Sequence, residues 1–170
     1  MTVTIRHETP LQDDVRELVA QLNAHLLPLS PIEFQFKMTV EQMAGADTTV
    51  FVARYETGRA VGMGALKVAD NGEAEVKRMF TLPEVRGQRV GSALLETITA
   101  LAQEKGVRHL MLETGTGPGF DGAHRLYSRS GFTPRGAFFD YPDSEWSAFF
   151  EKSLASRADN AEAGHQSLQA

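Results

Sequence analysis

The segment Arg86-Gly87-Gln88-Arg89-Val90-Gly91 stands between a strand-like run and a helix-like run, and its residue types suit one task, holding a phosphate. A helix N-terminus offers unpaired N–H groups and the positive end of the helix dipole, and glycines let an anion approach the backbone. Arg86 and Arg89 add positive charge, so pyrophosphate is the natural guest. The same six residues also read as a glycine-containing connection with solvated arginines, and alone they do not decide. No Gly-Lys-Ser/Thr follows four variable residues, which argues against nucleoside-triphosphate chemistry. A rival pattern, residues 117–122 (GPGFDG), formally fits G-x-G-x-x-G between a strand and a helix, and would suggest a dinucleotide-binding oxidoreductase. Only 48 residues follow Gly122, too few for the rest of such a sheet, and a flexible loop beside a site is the expected reading.

The elements that must position this loop follow from the apolar spacing. Val3 and Ile5 alternate with polar neighbours and predict a first strand. Thr9-Pro10-Leu11-Gln12 carries helix-start signals, and Leu11, Val15, Leu18, Val19, Leu22 and Leu26 share one helical face, so a helix is expected to run from there to about His25. Thr39-Val40-Glu41-Gln42 predicts a short capped second helix. Strands are expected over 50–55, 61–68 and 73–82, joined by turns at Thr57-Gly58 and Asp70-Asn71-Gly72, as an antiparallel meander. Val90, Leu94, Ile98, Leu101 and Ala102 mark a helix closed by Gly106. A strand at 107–113, a helix holding Ala123, Leu126 and Tyr127, and strands at 132–137 and 147–154 complete the chain. The order is β-α-α-β-β-β-α-β-α-β-β, an α/β (α+β) layer protein with helices on a sheet.

Composition narrows the function classes. The 170 residues suit one domain, expected over 1–154, with 155–170 as a flexible C-terminal tail of low apolar content. Seventeen basic and 22 acidic residues leave a net charge of −5, so no global field draws in nucleic acid or an anionic membrane. There is no apolar run of membrane length and no signal-peptide pattern, and a cytoplasmic protein is expected. Cysteine is absent, which excludes disulfides, thiolate metal sites and an acyl-cysteine intermediate. The five histidines lack ligand spacing with carboxylates, and no metal is expected.

Three blocks in order resemble the GNAT superfamily of N-acetyltransferases, which move acetyl from acetyl-coenzyme A to an amine. EVKRMFTL with RGQRVGSALL is similar to that family's acyl-carrier motif, written Gln/Arg-x-x-Gly-x-Gly/Ala, and LMLET is similar to its following strand. AHRLYSRSGF is similar to its block Ala-x-x-Leu-Tyr-x-x-x-Gly-Phe. The resemblance implies a mostly antiparallel, twisted mixed sheet flanked by helices. It implies that the backbone of Met79, Phe80 and Thr81 binds the pantetheine arm at a bulge, and that Gly87, Gln88, Arg89, Val90, Gly91 and Ser92, beside Arg86, hold the pyrophosphate. Two positions depart from the pattern: Arg89 stands where the motif has its central glycine, and Phe120 where many members have an asparagine.

Acetyl transfer needs a neutral amine and protonation of the departing thiolate. The resemblance assigns Tyr127 as general acid, and a phenol is protonated at neutral pH. Glu75, four residues before Met79 on the same strand, matches the glutamate base of some members, with Glu113 as the second candidate. Lys77, on the same strand face as Glu75, would lower that pKa if paired with it. The acceptor is expected between residues 25–38, with Phe34 and Phe36, and residues 138–142, where aromatics beside acids suit an organic ammonium. A small-molecule amine is the expected acceptor, a protein amine and a homodimer stay open, and a catalytically idle acyl-CoA-binding module is the alternative.

Overall fold

The computed structural model describes residues 2–154, and the expected tail at 155–170 lies outside the described residues. The elements follow the expected order: β1 (Val3–His7), α1 (Asp13–Leu26), α2 (Val40–Met43), β2 (Thr48–Tyr55), β3 (Ala60–Val68), β4 (Ala74–Thr81), α3 (Val90–Glu104), β5 (His109–Gly115), α4 (Asp121–Arg129), β6 (Thr133–Arg135) and β7 (Ser147–Ser153). Three single 3-10 turns, Ile32–Phe34, Pro83–Val85 and Pro118–Phe120, punctuate the connections.

The strands form one seven-stranded sheet in the order β1-β2-β3-β4-β5-β7-β6. Every pairing is antiparallel except β4 with β5. The expected meander is β2-β3-β4, and its turns use glycines with positive φ at Gly58 and Gly72. Helix α3 sinks Leu94, Leu95, Ile98 and Ala102 into the core, and α1 buries Val15, Leu18, Val19 and Leu22. Each large aliphatic side chain so buried contributes about 1.5–3 kcal/mol, and together they hold both helices on the sheet.

The start of α1 differs from expectation. The Thr9 hydroxyl accepts from the Leu11 N–H at 3.2 Å, and Gln12 turns back to the Thr9 carbonyl at 2.8 Å. These bonds close a turn instead of a first helical turn, so the helix begins at Asp13 and Leu11 is left exposed. The Thr39 signal works as expected: its hydroxyl accepts from the Gln42 N–H at 3.1 Å, and the Gln42 side chain accepts from the Thr39 N–H at 2.9 Å.

Two irregularities of β4 shape the middle of the sheet. Its parallel pairing with β5 covers only Ala74 with Leu110 and Glu75 with Met111, after which the strands part. On the other side Lys77 pairs with Ala65 and Phe80 with Met63, so Gly64 faces two residues, Arg78 and Met79. This is a β-bulge, with Arg78 at φ 56 in the left-handed region. A Cβ on Gly64 would lie 2.5 Å from the Met79 sulfur and 2.9 Å from Ile98 Cδ1, so a larger residue here would have to displace both side chains between the bulged strand and α3.

Candidate active site

Where β4 and β5 part, a cleft of about 630 Å³ opens and runs from the N-terminus of α3 to the segment after α1. Its volume is that of a typical small-molecule site. The lining includes Met79, Phe80, Thr81, Arg86, Gly87, Arg89, Val90 and Gly91 of the expected cofactor set, together with Tyr127. Ser92 belongs to a second groove against α4, alongside Gly87, Arg89 and Arg129. Gln88 lines neither of the two and returns its side chain to the Glu84 carbonyl at 3.3 Å.

The turn before α3 owes its shape to two left-handed residues. Gly87 has φ +82, and Arg89 caps the helix at φ 64. The first bond inside α3 runs from Ala93 N–H to the Arg89 carbonyl, which leaves the N–H groups of Val90, Gly91 and Ser92 without intrahelical acceptors. Besides Arg78 on β4, four arginines line the same cleft: Arg86 and Arg89 from the turn, Arg125 and Arg129 from α4. The last two were missed in the sequence. Their signal is the i, i+4 spacing on α4, which reads as solvated helix charge until the fold brings α4 beside the α3 turn.

The parted strands give the cleft its middle. Over Val76 to Thr81 the edge of β4 that faces β5 has no ladder partner, so its backbone polar groups are available to an amide-bearing ligand. Donors at the α3 turn, four guanidinium groups and an unpaired strand edge therefore fit the pyrophosphate and the amide-rich arm of acetyl-CoA. Phe120, at the position expected to carry asparagine, is buried against Gly115 and closes one wall of the cleft. A Cβ on Gly115 would overlap the Phe120 ring. Gly115→Ala is expected to lower stability by about 1–3 kcal/mol, read from denaturant unfolding.

Two titratable groups meet near the fork. Tyr127 is buried against Phe132 and Phe150, with ring centroids 6.0 and 6.2 Å away. Burial, with the Glu113 carboxylate nearby as a lesser cause, raises its pKa and keeps the phenol protonated. Glu113, from β5, also lines the cleft. Burial pushes its pKa up to about 7; the Lys77 ammonium pulls the other way, and Glu75 adds a smaller upward push.

Glu75 is placed differently from Glu113. It is buried, accepts a hydrogen bond from the Tyr141 hydroxyl, and lies 3.3 Å from Lys77 Nζ. Lys77 in turn donates to the Tyr141 oxygen at 2.7 Å. These three groups form a closed cluster, and of them Lys77 and Tyr141 line the cleft while Glu75 stands behind. The pairing of Lys77 with Glu75 anticipated from the strand alternation is present.

The far end of the cleft joins the two segments expected to meet there. Phe34, Phe36 and His25 line it from one side and Tyr141 from the other, with the Phe36 and Tyr141 rings 5.1 Å apart, edge to face. The acids expected beside these aromatics are not in the lining, where Glu113 is the single carboxylate and Lys37, Lys77 and Arg78 supply positive charge. Arg78 was not singled out in the sequence.

The motif at 117–122 forms a 3-10 turn entering α4, and Gly119, Phe120 and Gly122 line the cleft. Its strand, β5, pairs antiparallel with β7 and meets its parallel neighbour at two positions only, which is not the parallel sheet of a dinucleotide-binding fold.

The family model described as "Acetyltransferase (GNAT) family" matches residues 16–132. The chain belongs to the GNAT acetyltransferases. It is 40% identical over 153 residues to the "IAA acetyltransferase" of Azospirillum brasilense, covering 89% of this chain and 98% of that one. It is 33% identical to "Uncharacterized N-acetyltransferase YedL" of Escherichia coli (strain K12), covering 89% and 94%. A solved Klebsiella pneumoniae structure assigned to the acyl-CoA N-acyltransferases superposes with a TM-score of 0.76 at 31% identity, covering 90% of this chain and 98% of the other. This GNAT protein is thus an N-acetyltransferase using acetyl-CoA, with the α/β fold of its family. No helix among its described residues is long and apolar enough to cross a membrane.

Proposed function

We propose that this protein transfers acetyl to the primary amine of a small molecule by direct attack, with donor and acceptor bound together. The observation that carries this reading is the single cleft linking the arginine-lined α3 turn, the Tyr127–Glu113 fork and the aromatic pocket of Phe34, Phe36 and Tyr141. Donor and acceptor can occupy its two arms at once, and no cysteine is available to hold an acyl group between them. Residues 1–154 form the catalytic unit in this reading.

Acetyl-CoA supplies the acetyl group as a thioester. The α3 N-terminus, with Arg86, Arg89, Arg125 and Arg129, holds its phosphates, and the β4 edge at Met79, Phe80 and Thr81 holds its amide-bearing arm. Glu113 takes the proton that the attacking amine must lose. A carboxylate with a pKa of about 7 is half ionised at neutral pH and is a stronger base than an ordinary one. Positive charge on Lys77 and Arg78 also favours the neutral form of an amine held beside them. Tyr127 donates its proton to the departing sulfur. Glu75 positions Lys77 and Tyr141, a role that suits its place behind them better than that of base.

The test is acetyl-CoA-dependent product formation, followed by mass spectrometry over a panel of small amines, with IAA, the compound in the Azospirillum relative's name, tested alongside as a separate candidate acceptor. Acetylated product from at least one small amine is expected; product only from protein lysines would reject the small-molecule acceptor.

Arg89 permits a narrower test. A left-handed non-glycine residue costs about 1–2 kcal/mol, so Arg89→Gly is expected to raise stability by roughly 1 kcal/mol. The same change removes a cation from the phosphate end, and the KM for acetyl-CoA is expected to rise by about tenfold. Thermal unfolding and steady-state kinetics read the two effects separately.

A further inference from the structure

Arg78 is a buried cation without a counter-ion among the described residues. It is 8% exposed and lies on the bulge of β4, in the left-handed region at φ 56. Its Nη2 donates to the side-chain oxygen of Asn23 on α1, a neutral partner. Its Nε is sealed from solvent and has no hydrogen-bond partner. Burial alone accounts for the fall of its pKa to about 10, with no carboxylate contributing among the described residues.

Buried charges are normally paired, because removing an ion from water costs several kcal/mol that only a counter-charge with hydrogen bonds returns. Three partly buried cations of the chain show that pairing: Arg54 is held by Glu8 and Asp14, Lys77 by Glu75, and Arg135 by Glu151. Arg78 departs from it while lining the same cleft as Lys77, Phe34, Phe36 and Tyr141. Strain in the backbone and an unmet charge coincide at one residue, and such coincidences mark ligand sites.

Resting on the acetyl-transfer reading above, we propose that the acceptor bears a carboxylate beside its amine, an amino-acid-class substrate, and that Arg78 receives that carboxylate. The guanidinium has one neutral partner, and its remaining N–H groups match the planar, two-oxygen acceptor that a carboxylate presents. The amine is then directed toward Glu113, and the side chain toward Phe34, Phe36 and Tyr141, an environment for an apolar or aromatic body. Arg78 binds substrate without exchanging protons with it. Asn23 is a positioning residue that holds the guanidinium in place.

The experiment compares matched acceptors differing only in the carboxylate: L-phenylalanine with 2-phenylethylamine, L-tryptophan with tryptamine, and L-methionine with 3-(methylthio)propylamine. Wild-type kcat/KM is expected to favour the acid of at least one pair by about thirtyfold or more. In Arg78→Gln that ratio is expected to collapse toward one, and in Arg78→Lys, which keeps the charge but not the fork, to fall between. Thermal unfolding of both variants checks that they fold, and the wild-type comparison stands without them. Binding of 3-phenylpropanoate, a carboxylate without an amine, is measured by calorimetry on the same proteins and is expected to weaken at least tenfold in Arg78→Gln. Turnover of the amines with no preference for any acid, or carboxylate binding that Arg78→Gln leaves unchanged, overturns the proposal and leaves acetyl transfer standing. Carboxylate binding that depends on Arg78, without acetylation of any amine, keeps the anion site and removes the acetyl-transfer reading. Neither binding nor turnover of the acids overturns the proposal outright.

Discussion

Replacing Tyr127 by Phe is expected to lower kcat by roughly 10²–10⁴-fold, the range a well-placed general acid contributes, while the KM for acetyl-CoA changes little. The substitution removes one oxygen and keeps the ring that packs on Phe132 and Phe150, so the fold is preserved and the loss is chemical. Because burial holds the phenol protonated well above its ordinary range, Tyr127 contributes no alkaline limb to the rate profile below about pH 10. Steady-state kinetics across pH 6–9 check both points. A Tyr127→Phe enzyme with wild-type kcat would remove this residue from the chemistry and leave the sulfur to be protonated by solvent.

Glu113→Gln is expected to cost about 10²–10³-fold in kcat/KM at pH 8 and to change the shape of the pH profile. In the proposed role the reactive form of Glu113 is the carboxylate. Below a pKa of about 7 the rate should fall tenfold for each pH unit, and above it the contribution of this group should level off. The glutamine variant loses that limb. Stability moves in the opposite direction. A folded-state pKa raised above the unfolded value of 4.5 means that the native protein binds the proton more tightly. This group therefore costs nothing below pH 4.5, destabilises progressively as pH rises toward 7, and opposes folding fully above it. Glu113→Gln removes that cost, and at pH 8 the variant is expected to be more stable by on the order of 2 kcal/mol, after allowing for partial exposure. Slower catalysis with greater stability would show that the carboxylate is kept buried for its chemistry. If Glu75→Gln instead removed the acidic limb while Glu113→Gln left it, the two carboxylates would exchange roles.

The glycine-bearing turn before α3 was legible in the sequence because it is local. Residues 86–92 are contiguous, and a glycine-bearing turn before an amphipathic helix has the same unpaired N–H groups wherever the chain carries it. Tyr127 was singled out through the resemblance of its block, and it lines the cleft. Glu75 was ranked ahead of Glu113 through the resemblance, because nothing local separates two carboxylates on neighbouring strands. What separates them is a contact between Glu75 and Tyr141, 66 positions apart. Arg78 was hidden for a different reason. The bulge opposite Gly64 that re-aims it shows only in the pairing register.

The sequence by itself determined the order of the elements, their faces and the turn before α3, since these depend on hydrophobic period, capping and backbone conformation within a few residues. It also excluded an acyl-cysteine, since that needs only an inventory of residue types. Helix α1 shows the limit even of local rules, because Thr9 and Gln12 turned their hydrogen bonds back on the chain and moved its start to Asp13. Only the tertiary structure decided where β4 and β5 part, which carboxylate lines the cleft and which stands behind Tyr141, and that a buried arginine lies there with no counter-ion among the described residues. Burial and pairing are properties of long-range packing, and a charged side chain acquires its pKa and its partner from neighbours that the linear chain does not place beside it.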